Sequence, residues 1–241
     1  MPTVLETQQH FDKSAAVGVD SSVDKWPAIA PHFEAIPRGA RIIECGAGTG
    51  LYTLPLLKAG YRVVANDISL LALKRLKVTM EAAGLADGLS LAPGDYVSAL
   101  ADVADPIQAA TFIKVLHHFP DRDHIRAALH ATLDRLPAGG RIVMFEPNGL
   151  APHWFVRYRL LDTREKWLNE RNIRLIRQSL FEDLCDSRND CRLSLQYRFL
   201  IPGTFVSRIP GLSAADRLLT SLPGLRRFSA NLICIIDKAS A

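Results

Sequence analysis

At 241 residues, with 48% apolar and 22% charged side chains and a net charge of +4, the chain has an ordinary globular balance and can bury one sizeable core. So mild a charge gives no footing for a nucleic-acid-binding protein, and no apolar run approaches the ~20 residues of a membrane span. The polar start, Met1 to His10, lacks the apolar centre of a secretion signal, and four cysteines (Cys45, Cys185, Cys191, Cys234) form no Cys-x-x-Cys pair, so a cytoplasmic protein with reduced thiols is expected.

Residues 1–37 read as loop and helix, with Trp26-Pro27 starting a short helix. Arg41–Cys45 is the first strand. It runs into Gly46-Ala47-Gly48-Thr49-Gly50 and then, from Leu51, a helix that stops at Ala59-Gly60. Tyr61–Asn66 is the second strand, ending at Asp67. Ser69 caps a helix with leucines at 70, 73 and 76 that closes at Gly84. Leu89–Ala92 is a third strand, followed by Gly94-Asp95-Tyr96, and Ala109–Val115 is a fourth, followed by Leu116-His117-His118. Asp121 opens a helix to Leu136, and Arg141–Phe145 is a fifth strand ending in Glu146-Pro147-Asn148. Strands alternating with helices imply right-handed crossovers and a parallel sheet, whose ligands lie beyond the carboxyl ends of the strands.

After Asn148 the pattern changes. Residues 151–180 carry seven basic side chains (Arg157, Arg159, Arg164, Lys166, Arg171, Arg174, Arg177) against three acidic ones, Asp162, Glu165 and Glu170. Ser179 caps a helix to Asp186. Cys191–Leu200 alternates as a strand with Leu193, Leu195, Tyr197 and Phe199 on one side. A helix near Ala214–Leu222 and a last strand at Asn231–Ile236 follow. The expected fold is α/β, a doubly wound, seven-stranded, mostly parallel sheet of Rossmann-like type. One domain is expected, with a helical cap at 1–37, a ligand-binding core at 38–148, and lid insertions with the last strands at 149–241.

A strand that turns through glycines into a helix N-terminus holds a ligand with backbone amides. A dinucleotide would call for Gly-x-Gly-x-x-Gly, whereas the glycines here alternate at 46, 48 and 50. Glu44-Cys45-Gly46-Ala47-Gly48-Thr49-Gly50 instead resembles the first motif of the class I S-adenosylmethionine-dependent methyltransferases. Asn66-Asp67-Ile68-Ser69, Gly94-Asp95, Val115–Asp121 and Leu136–Arg141 are similar to that family's later signatures in its small-molecule members. The resemblance covers about residues 38–148. It implies methyl transfer from S-adenosylmethionine to O or N of a small or medium-sized acceptor, and the basic run after Asn148 hints at a carboxylate or phosphate on that acceptor. It also implies a cofactor site made by Glu44, Gly46, Ala47, Gly48, Gly50, Asp67, Ile68, Asp95 and Tyr96, to which Lys114 is added by its place at the end of the fourth strand. Glu44 suits the ammonium of the methionine tail, Asp67 the two ribose hydroxyls and Asp95 the adenine amino group, with Tyr96 packing on the ring.

His117 and His118 are the candidate catalytic residues. One of them serves as general base, or His118 bonds backbone and packs on the following helix. Lys114 departs from the family; it clamps an anionic acceptor or turns to solvent. His153, Trp154, Arg157 and Tyr158 line an acceptor pocket under a lid, or lie on an amphipathic helix. No metal is expected, because adjacent histidines point apart. His10-Phe11-Asp12 resembles a segment that folds over the cofactor. The run 157–177 is a solvated helix face, or it docks RNA or a membrane carrying a lipid or quinone acceptor. A fold-sharing protein that binds the cofactor without transferring its methyl group is a further alternative, and the oligomeric state is left open.

Overall fold

The computed structural model describes Asp12 and residues 25–157, 163–200 and 211–239. Among these, seven strands form one sheet: β1 (Arg41–Cys45), β2 (Arg62–Asp67), β3 (Leu89–Pro93), β4 (Ala109–Ile113), β5 (Arg141–Pro147), β6 (Cys191–Arg198) and β7 (Asn231–Lys238). Their spatial order is β3-β2-β1-β4-β5-β7-β6. Neighbours from β3 through β5 are parallel, and β7 pairs antiparallel with both β5 and β6, so β7 alone runs against the rest.

Period-2 alternation in the strands builds a core on each face of the sheet. Ile43, Phe112, Met144 and Cys234 face one side with Leu129 and Phe181, whereas Ile42, Val63, Phe145 and Ile233 face the other with Leu56, Leu76 and Phe33. The helices that cover these faces are α1 (Trp26–Ile29), α2 (Thr53–Lys58), α3 (Leu70–Ala82), α4 (Tyr96–Asp102) and α5 (Arg122–Arg135). The later segments add α6 (Pro152–Phe155), α7 (Arg164–Glu170), α8 (Gln178–Asp186), α9 (Leu212–Ser221) and α10 (Pro223–Arg226). Caps fix the helix starts. The Ser69 hydroxyl accepts from the Ala72 amide at 3.0 Å and Asp121 accepts from the amides of Asp123 and His124. No described helix is long and apolar enough to cross a membrane.

The structure departs from the sequence expectation at several ends. The helix after the glycines begins at Thr53, and β4 stops at Ile113 because Lys114 takes a left-handed φ of 55°. Helix α8 begins one residue before Ser179, with Arg177 at its N-cap, so Ser179 lies inside the first turn and does not cap it. Phe199 also has a left-handed φ, 61°; it leaves the face of Leu193, Leu195 and Tyr197 and packs with the opposite core.

Strand order reverses between β1 and β4, so the switch point of the sheet lies at Gly46 and at the turn after Ile113. The chain after β5 and the chain between β6 and β7 leave or enter at this same edge, since Pro147, Asn231 and Arg198 are register partners. Asn148, 1% exposed, ties the two together: its amide donates to the carbonyls of Arg227 and Ser229, both at 2.8 Å. Asn148→Ala strands these carbonyls, and urea unfolding is expected to show a loss of about 2 kcal/mol.

Candidate functional site

The glycine turn and the end of β2 form one half of the site. Gly46 has φ +69°, and a Cβ there would lie 2.5 Å from Val115 Cγ2, so the turn is pressed against the chain leaving β4. Gly48, φ +56°, is different: a Cβ at that position would meet nothing within 4 Å, so its face is open where a ligand would approach. Its amide donates to Asp67 Oδ2 at 2.8 Å, while Oδ1 accepts from the Ser69 amide at 2.8 Å. Burial raises the Asp67 pKa against these amides, and Asp12, bonded by the Ser69 hydroxyl, adds to the rise. Asp12 therefore reaches this edge; His10 and Phe11 lie outside the described residues. Ala47 is buried and Ile68 half-buried beside the carboxylate.

Glu44 is 2% exposed, and the Thr53 hydroxyl donates to its Oε2 at 2.6 Å. Burial pushes its pKa up to about 8; Thr53 opposes the rise and Asp67 adds to it. Asn66 donates to the carbonyls of Ala92 at 2.8 Å and Gly94 at 3.0 Å, which fixes the loop carrying Asp95. Asp95 is exposed and caps α4 through Ser98. Tyr96 corrects an expectation. Its side chain is 3% exposed, packs edge-on against Phe112 and bonds Thr132, so the ring is turned into the core and is not available to stack on a ligand.

The second half of the site is the turn after β4. Glu146, fully buried at the end of β5, accepts from the Val115 amide at 2.7 Å and the Leu116 amide at 2.9 Å through one oxygen. Its other oxygen lies 2.7 Å from His117 Nδ1. His117 Nε2 faces Glu170 Oε2 of α7 at 3.3 Å. Burial opposes a charged ring, but the hydrogen bonds and charges of Glu146 and Glu170 prevail and raise the His117 pKa to about 9. Glu170 responds in kind: despite burial, His117 leads His118 and Lys114 in lowering its pKa to about 2. In this arrangement His117 carries a proton at neutral pH, so it must lose that proton before it can act as a base. The expectation that His117 and His118 point apart is overturned: their ring centroids are 4.0 Å apart, and with Glu170 they place ligand atoms within 4.8 Å of one another.

Lys114 is exposed as a residue, yet desolvation lowers its pKa against the pull of Glu170 and Glu146, and Arg157 adds to the lowering. The chain after β5 closes over this turn. Asn172 donates to the carbonyls of Phe119 at 2.9 Å and Pro120 at 3.1 Å, and Gly149 sits where a Cβ would meet Ile173 O at 2.4 Å. His153 and Trp154 are half-buried with rings 4.3 Å apart, and the indole donates to Ala230 O at 2.7 Å. Burial and then Arg157 lower the His153 pKa to about 4, so its ring is neutral at pH 7. Arg157 is exposed, and Tyr158 lies outside the described residues.

The sequence pattern put Glu44, Gly48 and Asp67 together, and His117 beside His118. It missed Thr53, Asn66, Glu170 and Asn172, and named Glu146 only as a strand end. A carboxylate near the end of a buried strand, beside a strand that leads into two histidines, is the one available signal for Glu146.

Known proteins resemble this chain in sequence and in fold. The profile of a family described as a methyltransferase domain matches residues 19–188. A stretch of 105 residues is 30% identical to a probable non-canonical nonribosomal peptide synthetase, CymA, of Salinispora arenicola; it is 43% of this chain and spans 1% of that protein. A Haemonchus contortus phosphoethanolamine N-methyltransferase 2 in complex with S-adenosyl-L-methionine superposes with a TM-score of 0.62 at 13% identity, over 100% of this chain and 61% of that one. An rRNA methylase from Streptococcus thermophilus gives 0.56 at 14% identity, over 92% and 100% of the two chains.

The buried Glu44 carboxyl sets a stability trade. A carboxyl whose pKa is higher folded than unfolded contributes stability that is full below the unfolded value and lost as pH rises through about 8. Glu44→Gln keeps an acceptor for Thr53 and removes that loss. The ligand-free variant is expected to melt roughly 5–10 °C above the wild-type chain at pH 8 and far less above it at pH 5, read by thermal unfolding.

Proposed function

This chain belongs to the methyltransferase-domain family, and we propose that it moves the methyl group of S-adenosylmethionine to an oxygen or nitrogen of a small, anionic metabolite. The cofactor and the methyl transfer are those of the class I enzymes. The observation that supports the acceptor reading is the pairing of two environments at the switch point of one sheet. Asp67 holds the amide of Gly48, Glu44 is buried at the end of β1 before the same glycine turn, and an imidazole–carboxylate cluster follows β4, joined to that turn where Val115 packs on Gly46.

On the donor side, Glu44 receives the cofactor's ammonium, which restores the charge that burial suppresses. Asp67, already oriented by the amides of Gly48 and Ser69, accepts from the ribose hydroxyls. Asp95 takes the adenine amino group, and only the backbone of Tyr96 is left to contribute. Gly46, Ala47, Gly48 and Gly50 supply close backbone, and Ile68 supplies apolar contact. On the acceptor side, His117, His118 and Glu170 handle the proton that an O or N acceptor gives up. Lys114 and Arg157 draw its negative charge, and His153 and Trp154 wall the pocket. Methyl transfer from a sulfonium needs an in-line approach and little else, so holding acceptor and methyl in contact supplies most of the rate.

A second reading takes the acceptor from a lipid surface. Helix α9 is turned inside out: its one buried residue is Asp216, while Leu218 is 68% exposed. Leu222, Leu225 and Phe155 are exposed near Arg217, Arg226 and Arg227 in sequence or on the neighbouring insertion, a composition suited to an anionic bilayer.

Asp67→Ala is expected to weaken S-adenosylhomocysteine binding at least about tenfold by titration calorimetry. His117→Ala should bind it with wild-type affinity yet lose at least about 100-fold in turnover. Full activity in His117→Ala would remove the histidine cluster from the reaction. For the second reading, co-sedimentation with phosphatidylglycerol vesicles should be lost in Leu218→Asp; retention of the variant at wild-type levels rejects the lipid surface.

A further inference from the structure

We propose that His117, His118 and Glu170 bind a first-row divalent transition metal, zinc being the reference ion, at the acceptor side of the site. Ligand atoms of the three residues lie within 4.8 Å of one another. The His117 Nε2 to Glu170 Oε2 separation, 3.3 Å, is about the edge of a tetrahedron whose bonds to zinc are about 2.1 Å long. His118 completes the set from the same turn, its ring 4.0 Å from that of His117 and tilted 45° to it.

An independent observation is what stands behind His117. A metal-bound histidine nearly always gives its other ring nitrogen to a carboxylate, a backbone carbonyl or water, which fixes the tautomer and aims the free nitrogen at the ion. Glu146 does this at 2.7 Å, and it is itself immobilised by two backbone amides and complete burial. Nε2 is thereby preset toward Glu170 before any ion arrives. Two imidazoles and one carboxylate suit zinc, manganese, iron, cobalt or nickel better than magnesium or calcium, which prefer oxygen alone. His117 is buried while His118 and Glu170 are half-buried, so one side of the site stays open, as in metal sites that bind substrate.

What the ion does rests on the methyl-transfer reading. With the ion held, the three residues serve as its ligands and no longer take up the proton themselves, and an acceptor hydroxyl coordinated there releases its proton to solvent. The resulting oxyanion forms a bond to the methyl carbon while the S–C bond breaks, its electron pair returning to a neutral thioether. Binding of the ion does not rest on that reading.

The test is calorimetric titration of the chelator-stripped chain with zinc chloride alone. One zinc per chain is expected, with affinity falling at least about tenfold in His118→Ala and in the near-isosteric Glu170→Gln, and unchanged in His130→Ala. S-adenosylhomocysteine binding, measured on the same samples, certifies that each variant is folded. Cobalt(II) titration of the wild-type chain adds a readout free of any variant: its visible spectrum should report nitrogen and oxygen ligands in a low-symmetry site. No zinc or manganese binding by a wild-type chain that binds S-adenosylhomocysteine overturns the metal site alone. Equal zinc affinity in the wild type and both ligand variants also overturns it. Zinc bound as predicted, with no methyl transfer to any anionic acceptor, leaves the metal site standing and rejects the acceptor reading.

Discussion

One buried carboxylate organises the turn that follows β4. Glu146 is enclosed at the end of β5, where an unpaired charge would be costly. It is satisfied from three directions by the amides of Val115 and Leu116 and by His117. Those donors converge because Lys114 adopts a left-handed conformation and swings the chain out of β4 into a short turn. A strained residue, a buried charge and an oriented imidazole are thus one local solution, and removing any member leaves another without its partner. The same turn presses Val115 against Gly46, which couples the position of the histidines to that of the glycine loop.

The two halves of the site treat their charges differently. Around the glycine turn Glu44 and Asp67 both have raised pKa values, mainly from burial, so each gains from a positive charge or from hydrogen-bond donors brought to it. In the turn after β4 the charges compensate internally, with His117 favoured in its protonated form between two carboxylates and Glu170 favoured as an anion. The first half leaves its charges to be satisfied from outside, whereas the second satisfies its own.

Much of the donor half is legible in the sequence because its signals are local. A buried strand, alternating glycines and carboxylates at strand ends need only period and position to be recognised, and the seven-stranded sheet follows from the alternation of strands with helices. The acceptor half joins residues far apart in the chain. Glu170 belongs to a stretch that reads as a basic helix, and nothing in its spacing from His117 foretells a contact. Tyr96 misled for a related reason: a tyrosine after Asp95 reads as a ring at the rim, but the helix it begins turns that ring toward Phe112. Likewise Phe199 keeps the strand's alternation in sequence, while its left-handed φ sends it to the other core.

The reversed direction of β7 has a consequence for how such a protein can change. Because β7 runs against its neighbours, both long insertions, the one after Asn148 and the one before Ser229, are spliced at a single rim, bound together by Asn148 and by Trp154 to Ala230. At the opposite rim, by the pairing of Arg141 with Asp237, short turns join helix to strand. Both long excursions of the chain are therefore anchored beside the glycine turn, while the other rim is closed by short turns. The added length of this chain is concentrated on one side of its sheet, so a change there leaves the strand pairing untouched.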